Sequence, residues 1–219
     1  MYDWILFDLD GTLTDPGIGI TNAVAHALKR FGLPVPEREK LYPFIGPPLT
    51  DSFMKYYGLT PEEADQAVVY YREHFRDIGI FENEVYPGIP EMLEQLLAAG
   101  KKLALATSKP EAFAKRIMDH FDLAKYFTFI GGAEFTGPRT KKGAVIAYVL
   151  ESCGITDKSR VLMVGDREHD VLGAKENGLA CMGVLFGYGD LPELESAGAA
   201  YIAETVPEIA QLILAEDDE

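Results

Sequence analysis

Cysteine is scarce in this chain. Only Cys153 and Cys181 occur among 219 residues, and they form no CxxC pair. That excludes a disulfide-rich scaffold and a CxxC metal or redox site, and both thiols are expected to be reduced and packed, as in a cytoplasmic protein. Basic residues are also few: 20 lysines and arginines face 35 aspartates and glutamates, a net charge of −15, with no basic block. Nucleic acid and anionic membrane surfaces are therefore poor partners. An anionic substrate would need local positive charge from a metal, a lysine or a helix N-terminus. No apolar run approaches the roughly 18 residues of a membrane span. The first apolar run is interrupted by Asp3, Asp8 and Asp10, so no secretory signal is expected. No internal repeat or low-complexity segment is present.

What is present is an ordinary globular composition, 47% hydrophobic, which is enough for a substantial core. Short apolar runs read as strands at Trp4–Asp8, 102–106, 127–131, Val161–Gly165 and Ala180–Val184, with a weak last strand at 200–202. Amphipathic helical patterns lie between or after them at 89–99, 111–119, 142–153, 168–177 and 206–214. Gly100, Gly154 and Gly178 fall where helices should end. Such alternation predicts an α/β fold, a doubly wound parallel sheet with helices on both faces. From about Asp15 to Phe81 the alternation stops. Helical patterns at 19–30, 49–57 and 61–77 are separated by Pro34, Pro36, Pro43, Pro47 and Pro48, which reads as a helical insert. The predicted division is a core of residues 1–14 and 83–219 and an inserted helical unit of residues 15–82. An insert rooted beside Asp8 and Asp10 is placed to act as a lid over them. The charged tail Glu216–Glu219 is expected to fray.

Trp4-Ile5-Leu6-Phe7-Asp8-Leu9-Asp10-Gly11-Thr12 carries the chemistry. Strand alternation would put Asp8 and Asp10 on one face with Leu9 in the core. Two carboxylates so close repel unless a cation sits between them. Ligands in open α/β sheets bind at the carboxyl ends of strands. Thr107-Ser108 and Asp166 are predicted to lie at such ends too, and Lys141 or Lys142 opens a helix within reach. Carboxylates of Asp8 and Asp166, the main-chain carbonyl of Asp10 and waters suit an octahedral Mg²⁺. Asp8 could then attack phosphorus, and Asp10 could protonate the leaving alcohol and later deprotonate water. Thr107 and Lys142, with Lys141 as the fallback, would hold the phosphoryl oxygens. Ser108 could add a backbone donor and Lys109 a substrate contact. In the insert, Arg72, with Lys55 and His74 behind it, could read a leaving group; the plainer reading is solvated helix charge.

The ordered set Asp8-Leu9-Asp10-Gly11-Thr12, Thr107, Lys142 and Gly165-Asp166-Arg167-Glu168-His169-Asp170 resembles the haloacid dehalogenase (HAD) superfamily of phosphatases across essentially the whole chain. The resemblance implies Mg²⁺, an aspartyl-phosphate on Asp8 and a metal-supporting role for Asp170. It also implies that the insert is the small α-helical cap of that superfamily, on a Rossmann-like core. Asp15-Pro16-Gly17, Tyr86-Pro87-Gly88 and Thr107-Ser108-Lys109-Pro110 resemble the phosphoglycolate phosphatase-like branch. Ser108 in place of asparagine, Arg167-Glu168-His169, and Lys142 opening Lys-Gly-Ala-Val-Ile resemble a 5′-nucleotidase-like subgroup. The expected partner is a small phosphorylated metabolite, with the protein a monomer or homodimer. A phosphosugar mutase of the same superfamily, β-phosphoglucomutase-like, is the alternative, since it would keep Asp8 and Asp10. A haloacid dehalogenase has no alkoxide to protonate, so Asp10 argues against that activity. The intact acid set speaks against an inert binding protein.

Overall fold

The computed structural model describes residues 1–215; the expected frayed tail Glu216–Glu219 lies outside the described residues. In chain order the elements begin with β1 (Trp4–Phe7), β2 (Thr14–Asp15), α1 (Gly17–Arg30), a 3₁₀ segment at Arg38–Phe44, α2 (Leu49–Tyr57) and α3 (Pro61–His74). A π-turn at Phe75–Gly79, β3 (Glu84–Val85), α4 (Ile89–Ala98), β4 (Lys102–Pro110), α5 (Glu111–His120), β5 (Phe129–Ala133) and α6 (Lys142–Ser152) follow. The chain continues through β6 (Val161–Gly165), α7 (Glu168–Glu176), β7 (Ala180–Val184), α8 (Leu191–Ala197), β8 (Tyr201–Ala203) and α9 (Val206–Ala215).

Six strands form one sheet in the order β5-β4-β1-β6-β7-β8, every neighbouring pair parallel. A parallel sheet is covered on both faces, so its strands are apolar throughout rather than alternating. Ile5, Leu6 and Phe7 are accordingly all fully buried. Helix α6 packs on β4 and β5, α7 on β6 and β7, and Leu6, Ala104 and Met163 meet Val145, Ile146, Val149, Val171 and Ala174 in one core. Phe7 is in register with Leu105 of β4 and Val164 of β6. That register sets the residue after β1 beside Ala106-Thr107 on one side and Gly165-Asp166 on the other.

The chain divides into two compact units, Met1–Thr14 with Val85 onward, and Asp15–Glu84. The second unit holds α1 to α3. Its helix α3 starts where Thr60 and Glu63 cap each other, Thr60 Oγ1 accepting from the Glu63 amide and Glu63 Oε2 from the Thr60 amide, with Pro61 at the first helical position. Phe44 packs edge-on against Phe53 at 5.0 Å between ring centres. No helix among the described residues is long and apolar enough to cross a membrane.

Four local expectations shift. Strand β4 runs on to Pro110, so Thr107, Ser108 and Lys109 belong to it. Strand β5 begins at Phe129, two residues late, because the 3₁₀ turn Ala124–Tyr126 occupies the approach. The third insert helix leaves α geometry at His74 and widens into the π-turn, which apolar spacing alone does not distinguish from a continuing α-helix. Asp15 falls in β2, a two-residue strand paired with β3, too short to register as a pattern.

Candidate active site

Strand β1 stops at Phe7, so alternation along a strand does not set the directions of Asp8 and Asp10, contrary to the sequence reading. A tight loop does. The Leu9 carbonyl accepts from the amides of Thr12, Leu13 and Thr14, and the Gly11 amide donates to the Thr14 carbonyl. Gly11 has φ +80°, and a Cβ there would strike the Asp166 carboxylate, so glycine is required on both counts. Asp8 and Asp10 are both buried, as is Leu9 between them.

Asp8, Asp166 and Asp170 each offer a carboxylate oxygen, and the three lie within 4.8 Å of one another. Lys142, at the start of α6, joins two of them. Its Nζ is 2.9 Å from Asp8 Oδ1 and 2.7 Å from Asp170 Oδ1, and it donates to the Ala106 carbonyl at 2.9 Å. The ammonium thus makes one hydrogen bond, to the carbonyl, and pairs by charge with two carboxylates. The lysine stem passes α7 at Gly173, where a Cβ would press on Lys142 Cγ at 2.7 Å. Lys141, by contrast, is exposed. Asp8 Oδ1 also accepts from the Leu9 amide at 2.7 Å.

The other acids are held separately. Asp166 Oδ2 accepts from the Tyr188 amide at 2.7 Å and Oδ1 from Thr12 Oγ1 at 3.4 Å. Asp170 Oδ2 accepts from the Arg167 amide at 3.1 Å. Asp10 stands apart from the three-acid group: its Oδ2 is 2.5 Å from Lys109 Nζ, while its Oδ1 is buried with no hydrogen-bond partner. Thr107 is buried and its Oγ1 accepts from the Lys109 amide at 3.2 Å, leaving the hydroxyl proton to donate elsewhere. Ser108 is half-buried beside it. Arg72 lies on α3 in the second unit, half-buried, and burial lowers its guanidinium.

Charge follows from this packing. Burial, then repulsion from Asp170 and Asp8, pushes the Asp166 carboxyl well above the usual range, against the pull of the Tyr188 amide. Burial likewise raises Asp170 to about 6 despite the Lys142 ammonium. Burial alone would lower Lys142, but Asp170 and Asp8 outweigh it and hold the ammonium above its ordinary value. Burial raises the Asp10 carboxyl, with Lys109 opposing. Four buried carboxylates against two buried lysines leave two negative charges when all are ionised. A divalent cation cancels that excess, and an all-oxygen donor set without histidine or cysteine suits a hard ion such as Mg²⁺.

Residues 5–184 match the protein family described as haloacid dehalogenase-like hydrolase. The chain belongs to that family. A Pseudomonas aeruginosa protein described as 5′-nucleotidase is 46% identical to this hydrolase over 212 residues, which cover 97% of this chain and 96% of that one. A Mycobacterium tuberculosis protein described as tyrosine-protein kinase PtkA is 37% identical over 211 residues, 95% of this chain and 72% of the other. A solved structure described as a predicted phosphatase from Clostridium acetobutylicum superimposes with a TM-score of 0.95 at 46% identity, covering 98% of this chain and 99% of that chain. This HAD hydrolase is a phosphatase.

Three features of the phosphatase site were not read from its sequence. The Tyr188 amide reaches Asp166 from a loop beyond β7, where the close pair Gly187 and Gly189 was the only available signal. The Ala106 carbonyl on Lys142 leaves no trace in residue identity. The pairing of Lys109 with Asp10 spans 99 positions.

Proposed function

We propose that this phosphatase is a Mg²⁺-dependent phosphomonoesterase that works through an aspartyl-phosphate on Asp8, with a 5′-nucleotide or phosphoglycolate as the substrate class. The convergence of Asp8, Asp166 and Asp170 on one another, with Lys142 ion-paired with two of them, carries the reading. Asp8, Asp166 and Asp170, with the main-chain carbonyl of Asp10, would hold the ion. When bound, Mg²⁺ supplies charge neutralisation and polarises a phosphoryl oxygen.

The chain's own groups divide the remaining work. Both contacts to Asp8 fall on Oδ1, so Oδ2 is the oxygen available to attack phosphorus. Asp10 protonates the departing alkoxide and then takes a proton from the water that attacks the acyl phosphate. The Thr107 hydroxyl, the Ser108 amide and Lys142 meet the phosphoryl oxygens, where transition-state charge gathers. The helical unit Asp15–Glu84 is the cap that selects the substrate, with Arg72 as its candidate contact. Two free cysteines fit a reducing, cytoplasmic setting.

The 46% identity to a protein described as 5′-nucleotidase favours nucleotides. A phosphate-release screen with Mg²⁺ over nucleoside 5′-monophosphates, phosphoglycolate and sugar phosphates tests this. Release that vanishes in Asp8→Asn supports the reading; substantial residual turnover in that variant refutes the nucleophile. Isomerisation of a sugar phosphate with bisphosphate activation would select the mutase instead. The description of the mycobacterial relative as a tyrosine-protein kinase supplies a further reading, transfer to a tyrosine hydroxyl rather than to water. Labelled phosphate appearing on a tyrosine peptide would select it.

A further inference from the structure

We propose that Lys109 is a positioning residue that clamps one oxygen of Asp10 so that the other carries the transferred proton; this rests on the phosphatase reading above. The geometry is asymmetric. Lys109 Nζ sits 2.5 Å from Asp10 Oδ2, with the two side chains only 5% and 10% exposed. Asp10 Oδ1 is buried and has no hydrogen-bond partner, which is unusual for a carboxylate oxygen unless something else is meant to meet it. Oδ2 accepts from the ammonium whether or not Oδ1 holds a proton, so the clamp survives both halves of the cycle.

The backbone explains how a strand lysine reaches this place. Strand β4 pairs Thr107 with Gly132 but next pairs Pro110 with Ala133, so the register slips across Ser108 and Lys109. Bulges of this kind re-aim side chains beside active sites. The Lys109 amide donates to Thr107 Oγ1, which ties the bulge to the residue that faces the phosphoryl group. One irregularity thus orients a phosphate-binding hydroxyl and the clamp on the proton carrier together.

The proton path is then specific. In the first half, Asp8 forms its bond to phosphorus while the ester P–O bond breaks, and the proton on Asp10 Oδ1 moves to the leaving oxygen. In the second half, the same Oδ1 takes a proton from water as the water oxygen bonds to phosphorus and the Asp8–phosphorus bond breaks. Asp10 ends as it began.

The test compares leaving groups through kcat/KM, which reports the first half. An alkyl phosphate needs its leaving oxygen protonated, whereas the nitrophenolate of p-nitrophenyl phosphate leaves with little help. Lys109→Met should lower kcat/KM for the alkyl ester by about 10²-fold, the scale of acid catalysis. For the nitrophenyl ester it should fall less than about threefold, because little of that transition state depends on the acid. Lys109→Arg should restore part of the loss. In an Asp10→Asn background Lys109→Met should add nothing further. A parallel fall on both substrates would make Lys109 a substrate ligand and overturn the clamp, as would additive losses in the double variant. If Lys109→Met does not fold, Lys109→Gln, which keeps a donor without the charge, carries the same comparison. Asp8→Asn is the separate control: activity in it removes the phosphatase mechanism, whereas a parallel loss in the lysine variants removes only the clamp.

Discussion

Replacing Lys142 by methionine gives the most quantitative consequence of this site. The lysine is 5% exposed, and its Nζ serves Asp170 at 2.7 Å, Asp8 at 2.9 Å and the Ala106 carbonyl at 2.9 Å. Methionine retains most of the stem beside Gly173, so little cavity forms and the lost charge dominates. Breaking a buried ion pair by deleting one partner costs about 3–5 kcal/mol, because the surviving charge is left without compensation. For a chain of this size that corresponds to a fall in Tm of roughly 6–20 °C. The cost must also depend on pH. Asp170 is raised to about 6 even with the lysine present, and deleting the lysine raises it further. A carboxyl whose folded value lies above its unfolded value of about 3.9 binds more protons in the native state, so stability is lost as pH rises through that interval. Each extra proton bound contributes about 1.4 kcal/mol per pH unit, so the deficit of Lys142→Met against the parent should widen from about pH 5 to pH 8. Urea unfolding followed by circular dichroism in EDTA measures it. A deficit under about 1 kcal/mol, flat across that range, would refute the claim that Lys142 compensates these carboxylates.

Mg²⁺ should raise Tm more at about pH 8 than at pH 5.5, since Asp166 and Asp170, both raised, must release protons to bind it. Calorimetry in two buffers of different ionisation enthalpy reads those protons, and an affinity independent of pH would count against the site. Gly11→Ala should cost about 1–3 kcal/mol from its positive φ alone, and should weaken Mg²⁺ binding by displacing Asp166; an unchanged Mg²⁺ titration would contradict the packing at Gly11. Arg72→Ala should reorder the substrate ranking with little effect on Tm, and an unaltered order would remove Arg72 from the specificity residues.

Much of the fold was legible because apolar strands and amphipathic helices announce themselves by period and length. Val161–Gly165 and Ala180–Val184 appear with the bounds their apolar runs imply. Asp8 and Asp166 stood out because acids that end apolar runs in an open sheet come together at its carboxyl edge. The roles of lysines were harder to read. Lys109 was read as a substrate contact; the register slip in β4 brings its ammonium to Asp10, a contact that residue types and spacing do not reveal. Bulges arise from two strands together, and neither strand's composition reveals them. The assumption that Asp8 and Asp10 share a strand face also failed for a local reason, since the loop closed on the Leu9 carbonyl ends the strand first.

The occupied state of Lys142 limits how it can serve a phosphoryl group. Its ammonium already donates to the Ala106 carbonyl and lies against one carboxylate oxygen each of Asp8 and Asp170, so on the proposed mechanism a phosphate oxygen would be met by exchange. The three acceptors are not equivalent. Giving up the neutral Ala106 carbonyl forfeits an ordinary hydrogen bond of about 1 kcal/mol, whereas drawing away from Asp8 or Asp170 breaks a buried ion pair, which costs more. On the proposed mechanism, exchange at Ala106 is therefore favoured, since it keeps the ion pair with Asp8 Oδ1 and leaves Oδ2 open. That carbonyl lies within β4, adjacent to Thr107, whose hydroxyl proton is also available to donate. On that mechanism one lysine would both orient Asp8 and turn the proton freed at Ala106 toward the group being transferred.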